Sequence, residues 1–313
     1  MTRPSKTING PVSNDAKVSL GVQSVLYNTR FADLERTALC LSQSVSVSIA
    51  DGCIIGAELL WGDCSPNPVL TQDMVDKIQR KVGKNLKITY QFFDRNMGSA
   101  AGHNRISRSN KHGLLMILNP DVITPPNTLS TMLKTLEDGN VGIVEAKQIP
   151  IEHPKAFDKF TGETSWASTC CVVIPRKVFD EVGGFDSENF FLYCDDVDFS
   201  WSVREFGYKV IYQPAAPVFH DKVLSRAGEW QTSAAERYYS AEAALLLSHK
   251  WSNHAYRDQV IRYFSTSGDD AMNKALTEFN RRRDAGLLPT PRDTDNRVGE
   301  FINGNYAVHR YHL

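Results

Sequence analysis

In Leu114-Leu115-Met116-Ile117-Leu118-Asn119-Pro120-Asp121-Val122, five consecutive apolar residues run straight into Asn-Pro-Asp. An uninterrupted apolar run of this length suits a strand buried on both faces, because neither side of its pleat meets water. Pro120 has no amide hydrogen to give a neighbouring strand, so the ladder stops there and the polar side chains turn outward.

Working outward, the same punctuation recurs. Val18–Tyr27 ends at Asn28, Ile54–Trp61 is followed by Asp63, and Leu86–Phe92 by Asn96, with helical patterns from about Phe31 and over Thr71–Lys81 between them. Strands alternating with helices predict an α/β fold with a Rossmann-like, mostly parallel sheet flanked by helices. Ligands of such sheets lie beyond the carboxyl ends of the strands, where Asn28, Asp63, Asn96, Asn119 and Asp121 all fall. Any one of them alone reads equally as a turn or cap residue. Four strand ends in register do not.

From about Leu224 the pattern becomes helical, over Ala234–Lys250, His254–Phe264 and Asp269–Arg283, the last with Met272, Ala275, Leu276 and Phe279 on one face. The chain therefore divides into an extended or disordered N-terminus at 1–16, an α/β catalytic domain over 17–222, and a C-terminal helical extension and tail over 223–313. The Pro-bearing stretch Leu287–Val298 reads as an extended linker or arm.

Composition narrows the functions. The 313 residues suffice for one large core plus an appended subdomain. A formal net charge of -1 gives no electrostatic footing for nucleic acid, so no nucleic acid partner is expected. The cysteines at 40, 53, 64, 170, 171 and 194 lack CxxC pairing and the close Cys/His spacing of a zinc site, and read as reduced thiols. Residues 1–16 carry no apolar signal-peptide core, and Ala243–Leu247 falls far short of the ~20 residues of a membrane span. A cytoplasmic protein is expected, with at most peripheral contact at the inner membrane face.

Three segments carry chemistry. Asn119-Pro120-Asp121 ends a buried strand with a carboxylate, and a hard cation such as Mg2+ or Mn2+ takes one or two protein carboxylates and fills its octahedron with phosphate oxygens and water. An Asx-turn ahead of Pro125-Pro126 is the plainer alternative. Val182-Gly183-Gly184-Phe185-Asp186 leads to Phe190-Phe191-Leu192-Tyr193-Cys194-Asp195-Asp196-Val197-Asp198. Such an acid cluster opens a helix, here closed at Gly207, and equally sets a carboxylate at the mouth of a crevice, as a general base requires. His220 follows a returning strand from Lys209 to Tyr212, where an imidazole is either a structural hydrogen-bonding group or a ligand.

Taken in order, these motifs resemble glycosyltransferase family 2, the inverting enzymes of GT-A fold, over about Val18–His220. The resemblance is carried by Leu26-Tyr27-Asn28, Trp61-Gly62-Asp63-Cys64-Ser65-Pro66, Asn96-Met97-Gly98 with Gly102 and Asn104, Leu118-Asn119-Pro120-Asp121, the Gly183-Gly184 segment, the acidic run and His220. The ordered set is most similar to the bacterial branch that builds surface polysaccharides such as O-antigen, rhamnosyltransferases included.

That resemblance implies a nucleoside diphosphate sugar donor, dTDP-rhamnose or a UDP-sugar, and a saccharide or lipid-linked saccharide acceptor. Tyr27, Asn28 and Asp63 would border base and ribose, with Asp63 accepting from the nucleobase, while Asn96, Gly98, Asn104 and Asn119 would line the rest of the donor site. Asp121 and His220 would hold Mg2+ or Mn2+ across the diphosphate. Asp196 would be the general base, Asp195 would hold the acceptor or orient the site, and Trp166 would stack on an acceptor sugar or else belong to the core. Three departures accompany the match. Asn119 stands at the first metal-motif position, Ser202 stands where an arginine commonly follows the acidic motif (Arg204 is two residues on), and about Val45–Cys53 is additional between the first helix and second strand.

Two other functions compete. A sugar-phosphate nucleotidylyltransferase would open with a glycine-rich phosphate loop after the first strand, and Val22–Asn28 contains none. A non-catalytic nucleotide-sugar binder would have no use for Asp121, Asp196 and His220 together. The helices over Ala234–Arg283 are expected to pack against a second copy of the chain, giving a homodimer, or to touch the inner membrane face.

Overall fold

The computed structural model describes residues 18–137, 139–152, 155–220 and 233–301. The segment 1–16 and the tail after Phe301 lie outside them. The first half runs β1 (Leu20–Leu26), α1 (Phe31–Ala50), β2 (Ala57–Asp63), α2 (Gln72–Val82), β3 (Leu86–Phe92), α3 (Gly98–Ser109) and β4 (Leu114–Leu118). There follow β5 (Val122–Ile123), α4 (Thr128–Thr135), β6 (Val141–Ile149), β7 (Cys171–Pro175), α5 (Arg176–Val182), α6 (Asp195–Glu205) and β8 (Lys209–His220). Three helices complete it: α7 (Ala234–Lys250), α8 (His254–Thr266) and α9 (Asp270–Asp284).

All the strands join one sheet in the order β3-β2-β1-β4-β7-β6-β8-β5. β1 to β4 are parallel, β6 and β8 run the same way, and β7 and β5 run against them. The apolar run of β4 explains itself: Met116 and Leu118 pack under α1 and α4, while Leu115 and Ile117 enter a second cluster with Phe179 of α5 and Phe199 of α6. Covered on both faces, the strand needs apolar residues at every position.

Helix boundaries follow local chemistry. Thr71 accepts from the Met74 amide, Ser233 from Glu236, and Asp269 from Ala271 and Met272, each satisfying amides that a helix start leaves free. The segment expected as an addition, Val45–Cys53, is mostly the continuation of α1, which runs unbroken to Ala50. The returning strand is also longer than its Lys209–Tyr212 reading. Pro214 to Ala216 are absorbed where pairing jumps from Ala146↔Gln213 to Lys147↔Pro217, and the ladder resumes to His220.

Against this body pack the C-terminal helices. Ala241, Leu245, Leu246 and Leu247 of α7, with Trp251 just after it, share one apolar cluster with Phe190, Cys194, Val197 and Trp201 of the acidic segment. Beyond α9 the chain folds back: the Arg292 amide donates to the Lys250 carbonyl at 2.6 Å, and Arg204 reaches the Val298 carbonyl at 2.7 Å.

Candidate active site

Because β1, β2, β3, β4, β6 and β8 share one direction, their carboxyl ends lie along a single edge of the sheet. Leu118 at the end of β4 pairs with Cys171 at the start of β7, so the segment entering β7 reaches that edge too.

Where β5 joins β8 at one end of the strand order, Val122 pairs with His220, which sets Asp121 beside the imidazole: Nε2 lies 3.4 Å from the Asp121 carboxylate. Asp121 is 36% exposed at its side chain and His220 12%, so the pair opens toward solvent on the carboxylate side. His220 Nδ1 lies 3.1 Å from Gln148 Oε1 and 3.3 Å from Cys170 Sγ. Among the described residues no three His, Cys, Asp or Glu side chains gather as a metal-holding group. One carboxylate and one imidazole fit a cation whose other positions come from a diphosphate and water, and they do not fit a closed all-protein cage. The Asn119 backbone, rather than a described side-chain contact, ties this loop down by donating to the Cys170 carbonyl at 2.9 Å.

Asp195 and Asp196 open α6. Tyr193 (φ 67°) and Cys194 (φ 56°) precede them, two consecutive non-glycine residues in the left-handed region, a conformation held only where surrounding packing enforces it. Asp195 is 4% exposed, and one carboxylate oxygen has no partner. Burial, then the neighbouring Asp196 charge, push its carboxyl up to about 7, with the Ser99 hydroxyl opposing. Asp196 is less deeply buried, and its Oδ1 accepts from the Val197 amide. Depth therefore separates the two acids, and burial of Asp195 favours the orienting alternative over direct contact with an acceptor.

One segment joins the acids to the Asp121–His220 pair. Ala167 N–H donates to Ser200 Oγ at 3.0 Å, and that hydroxyl donates to the Asp196 carbonyl at 2.7 Å. Three residues on, Cys170 touches His220 and Asn119. Three residues of chain span at most about 10 Å. Asp121, His220 and Asp196 thus belong to one neighbourhood of the fold.

The nucleotide side departs further from expectation. Tyr27 is 53% exposed and Asn28, at φ 52°, donates its amide to Ser65 Oγ at 2.8 Å, so both border the open edge. Asp63 does not. It is fully buried and accepts from the Ser65 and Val69 amides at 2.9 Å and the Tyr90 hydroxyl at 2.6 Å, so the chain itself uses most of its lone pairs and it organises the 63–69 loop. Asn104 likewise donates to the Phe185 carbonyl at 2.7 Å and accepts from its amide at 2.9 Å, which makes it a clip between α3 and the glycine segment rather than a donor contact. Asn96 receives the Gly98 amide at 3.1 Å. Gly98, at φ 71°, is required by the protein: a Cβ there would stand 2.1 Å from the Phe191 carbonyl oxygen. Trp166 is 3% exposed inside the apolar cluster with the Lys155 ammonium 3.9 Å from its ring, which matches the core alternative.

Sequence reasoning also missed Lys250 and Tyr239. Lys250 bridges Asp186 at 2.7 Å and Asp198 at 2.8 Å, joined by Trp251 Nε1 donating to Asp198 at 2.9 Å. Only the three acids of the motif hinted that a buried cation had to come from elsewhere. Tyr239 stacks on Phe191 at 4.8 Å, bringing α7 to the crevice.

Comparison with solved structures decides the architecture. A mannosyltransferase from Pyrobaculum calidifontis in complex with GDP-Man and Mn2+ superposes with a TM-score of 0.52 at 14% identity over 90% of this chain and 79% of that one. GalNAc-T7 with UDP, GalNAc and Mn2+ gives 0.58 at 15% identity, over 87% of this chain and 56% of that one. This is the GT-A fold. No protein-family model matches this chain. Over 123 residues it is 33% identical to the N-acetylglucosaminyl-diphospho-decaprenol L-rhamnosyltransferase of Mycobacterium tuberculosis. That match agrees with the rhamnosyltransferase resemblance read from the motifs. It spans 39% of this chain and 40% of the mycobacterial protein, about two fifths of each.

Proposed function

We propose that this GT-A chain is an inverting glycosyltransferase. It moves a sugar from a nucleoside diphosphate, dTDP-rhamnose ahead of a UDP-sugar, to a hydroxyl of a saccharide or lipid-linked saccharide. The observation that carries the reading is the short Ala167–Cys170 segment, which ties the Asp196 helix to the Asp121–His220 pair on the ligand-binding edge of the sheet. Donor class and acceptor class draw on the mycobacterial relative, whose name specifies an L-rhamnosyl group and an N-acetylglucosaminyl-diphospho-decaprenol.

In this reading Asp196 accepts the proton of the acceptor hydroxyl while that oxygen forms its bond to the anomeric carbon. The bond from that carbon to the diphosphate oxygen breaks on the opposite face, so one displacement inverts the configuration. Asp195, buried behind it and holding its own proton until near neutrality, leaves Asp196 as the available base. Asp121 and His220 face the departing diphosphate. When bound there, Mg2+ or Mn2+ supplies Lewis acidity to the leaving group. Tyr27 and Asn28 border the nucleoside, and the Asp63 loop shapes the floor beneath it.

A thermal-shift panel of dTDP, UDP, GDP and their sugars, with and without Mn2+, tests the donor side. A ligand present at a hundredfold over its Kd stabilises the native state by about 2.7 kcal/mol. The expected result is a Mn2+-dependent rise with a thymidine or uridine diphosphate that vanishes in Asp121→Ala. A flat panel would remove the reading.

A further inference from the structure

His220 meets three groups, and their arrangement has a consequence for its protonation. A neutral imidazole ligates through one nitrogen only, and the hydrogen on the other is fixed by whatever that nitrogen bonds. Gln148 Oε1 lies 3.1 Å from Nδ1, and Cys170 Sγ lies 3.3 Å from the same atom. An amide oxygen is the stronger acceptor of the two, a thiol being weak in either role. Nε2 faces the Asp121 carboxylate across 3.4 Å, so a cation held between them takes the Nε2 lone pair and the hydrogen then belongs on Nδ1, donated to Gln148.

Gln148 is built for this orientation. It is 3% exposed, and its backbone amide donates to Glu152 at 3.1 Å, the other oxygen of that carboxylate taking the Tyr212 hydroxyl at 2.6 Å. Its own Nε2 is buried with no partner, so the side chain gains nothing from its amide end. What it makes is the contact to His220. The strand carries it there in register, Gln148 pairing with Val218 two residues before the histidine.

We infer that Gln148 is a positioning residue that selects the His220 tautomer whose Nε2 is free to bind a divalent cation beside Asp121. This rests on the assignment of His220 as a metal ligand made above. It concerns neither the base nor the acceptor.

The test uses the full chain with saturating dTDP as the probe and follows free Mn2+ by electron paramagnetic resonance. Replacing a residue that orients a ligating histidine costs about 10- to 100-fold in metal affinity, and that loss is expected for Gln148→Leu. Gln148→Glu, which still accepts from Nδ1, keeps Mn2+ affinity within about threefold of the parent. Nitrogen-15 histidine spectra of the unsubstituted protein with dTDP and the diamagnetic ion Mg2+ should show His220 carrying its hydrogen on Nδ1. This second readout needs no variant to fold. A hydrogen on Nε2 in the unsubstituted protein, or unchanged Mn2+ affinity in Gln148→Leu, overturns the inference. His220→Ala separates the two levels: if it binds Mn2+ normally the ligand assignment has failed, and if it alone weakens binding only the role of Gln148 has.

Discussion

Asp195 and Asp196 are chemically identical neighbours whose surroundings part them. With Asp195 pushed up to about 7 by burial and by Asp196, the unfolded chain releases this proton well below the pH at which the folded chain does. The native state therefore loses ground as pH rises from about 4 to about 7. Asp195→Asn has no proton to lose. Its stability relative to the parent should climb across that window and level off above it, measured by urea unfolding at pH 5 and pH 8. Equal differences at both values would contradict the burial argument.

Single residues also mark where sequence reading ran out. The positions of Asp121, His220 and Asp196 were legible because each follows a strand or opens a helix, which period and punctuation reveal. The partners of Asp63, Asn104 and Trp166, namely Tyr90, Phe185 and Lys155, were not, since packing identifies them and no spacing rule supplies them. An Asp at a strand end looks the same whether it faces a ligand or its own loop.

Among elements, the contact of α6 with α7 bears most on the site. Asp198 and Asp186 are 3% and 19% exposed at their side chains, and Lys250, 8% exposed, is the cation between them. Removing one member of a buried ionic group leaves the rest uncompensated, at about 3 to 5 kcal/mol. Lys250→Met should lose stability of that order in chemical denaturation and loosen the helix that presents Asp196. A loss under about 1 kcal/mol, the range of an exposed pair, would refute the coupling. At this scale the parallel half, β1 to β4 with α1 to α3, was readable from alternating apolar runs. β6 and β7 were not, since Glu145 and Lys147 break the apolar run of β6 and the ammonium that pairs with Glu145 comes from Lys155, ten residues on. β8 was cut short by Pro214 and Pro217, which the bulge accommodates.

For the whole molecule, the helical layer is joined to the body through buried side chains, and its outer surface is poor in apolar groups. Among the described residues of α7 to α9, Tyr263 is the large hydrophobic side chain that stands exposed, and no helix is long and apolar enough to cross a membrane. Interfacial binding grows with buried apolar area and unpaired basic charge, and the basic run Arg281–Arg283 that closes α9 is paired with Glu278 and Asp284. The protein should therefore fail to sediment with phosphatidylglycerol-containing liposomes at moderate salt. Sedimentation that survives high salt would instead assign these helices to the membrane surface.

In the proposed reaction Asp196 serves as base for a single displacement at an anomeric carbon, with Asp121 and His220 on the leaving-group side. Proton NMR of the product formed from dTDP-β-L-rhamnose, Mn2+ and an N-acetylglucosaminyl diphospho-lipid tests it most directly. The account predicts an α-linked rhamnoside, formed about 10²- to 10⁴-fold more slowly by Asp196→Asn, whose donor binding is unchanged. A β-linked product, or an Asp196→Asn variant as fast as the parent, would contradict it.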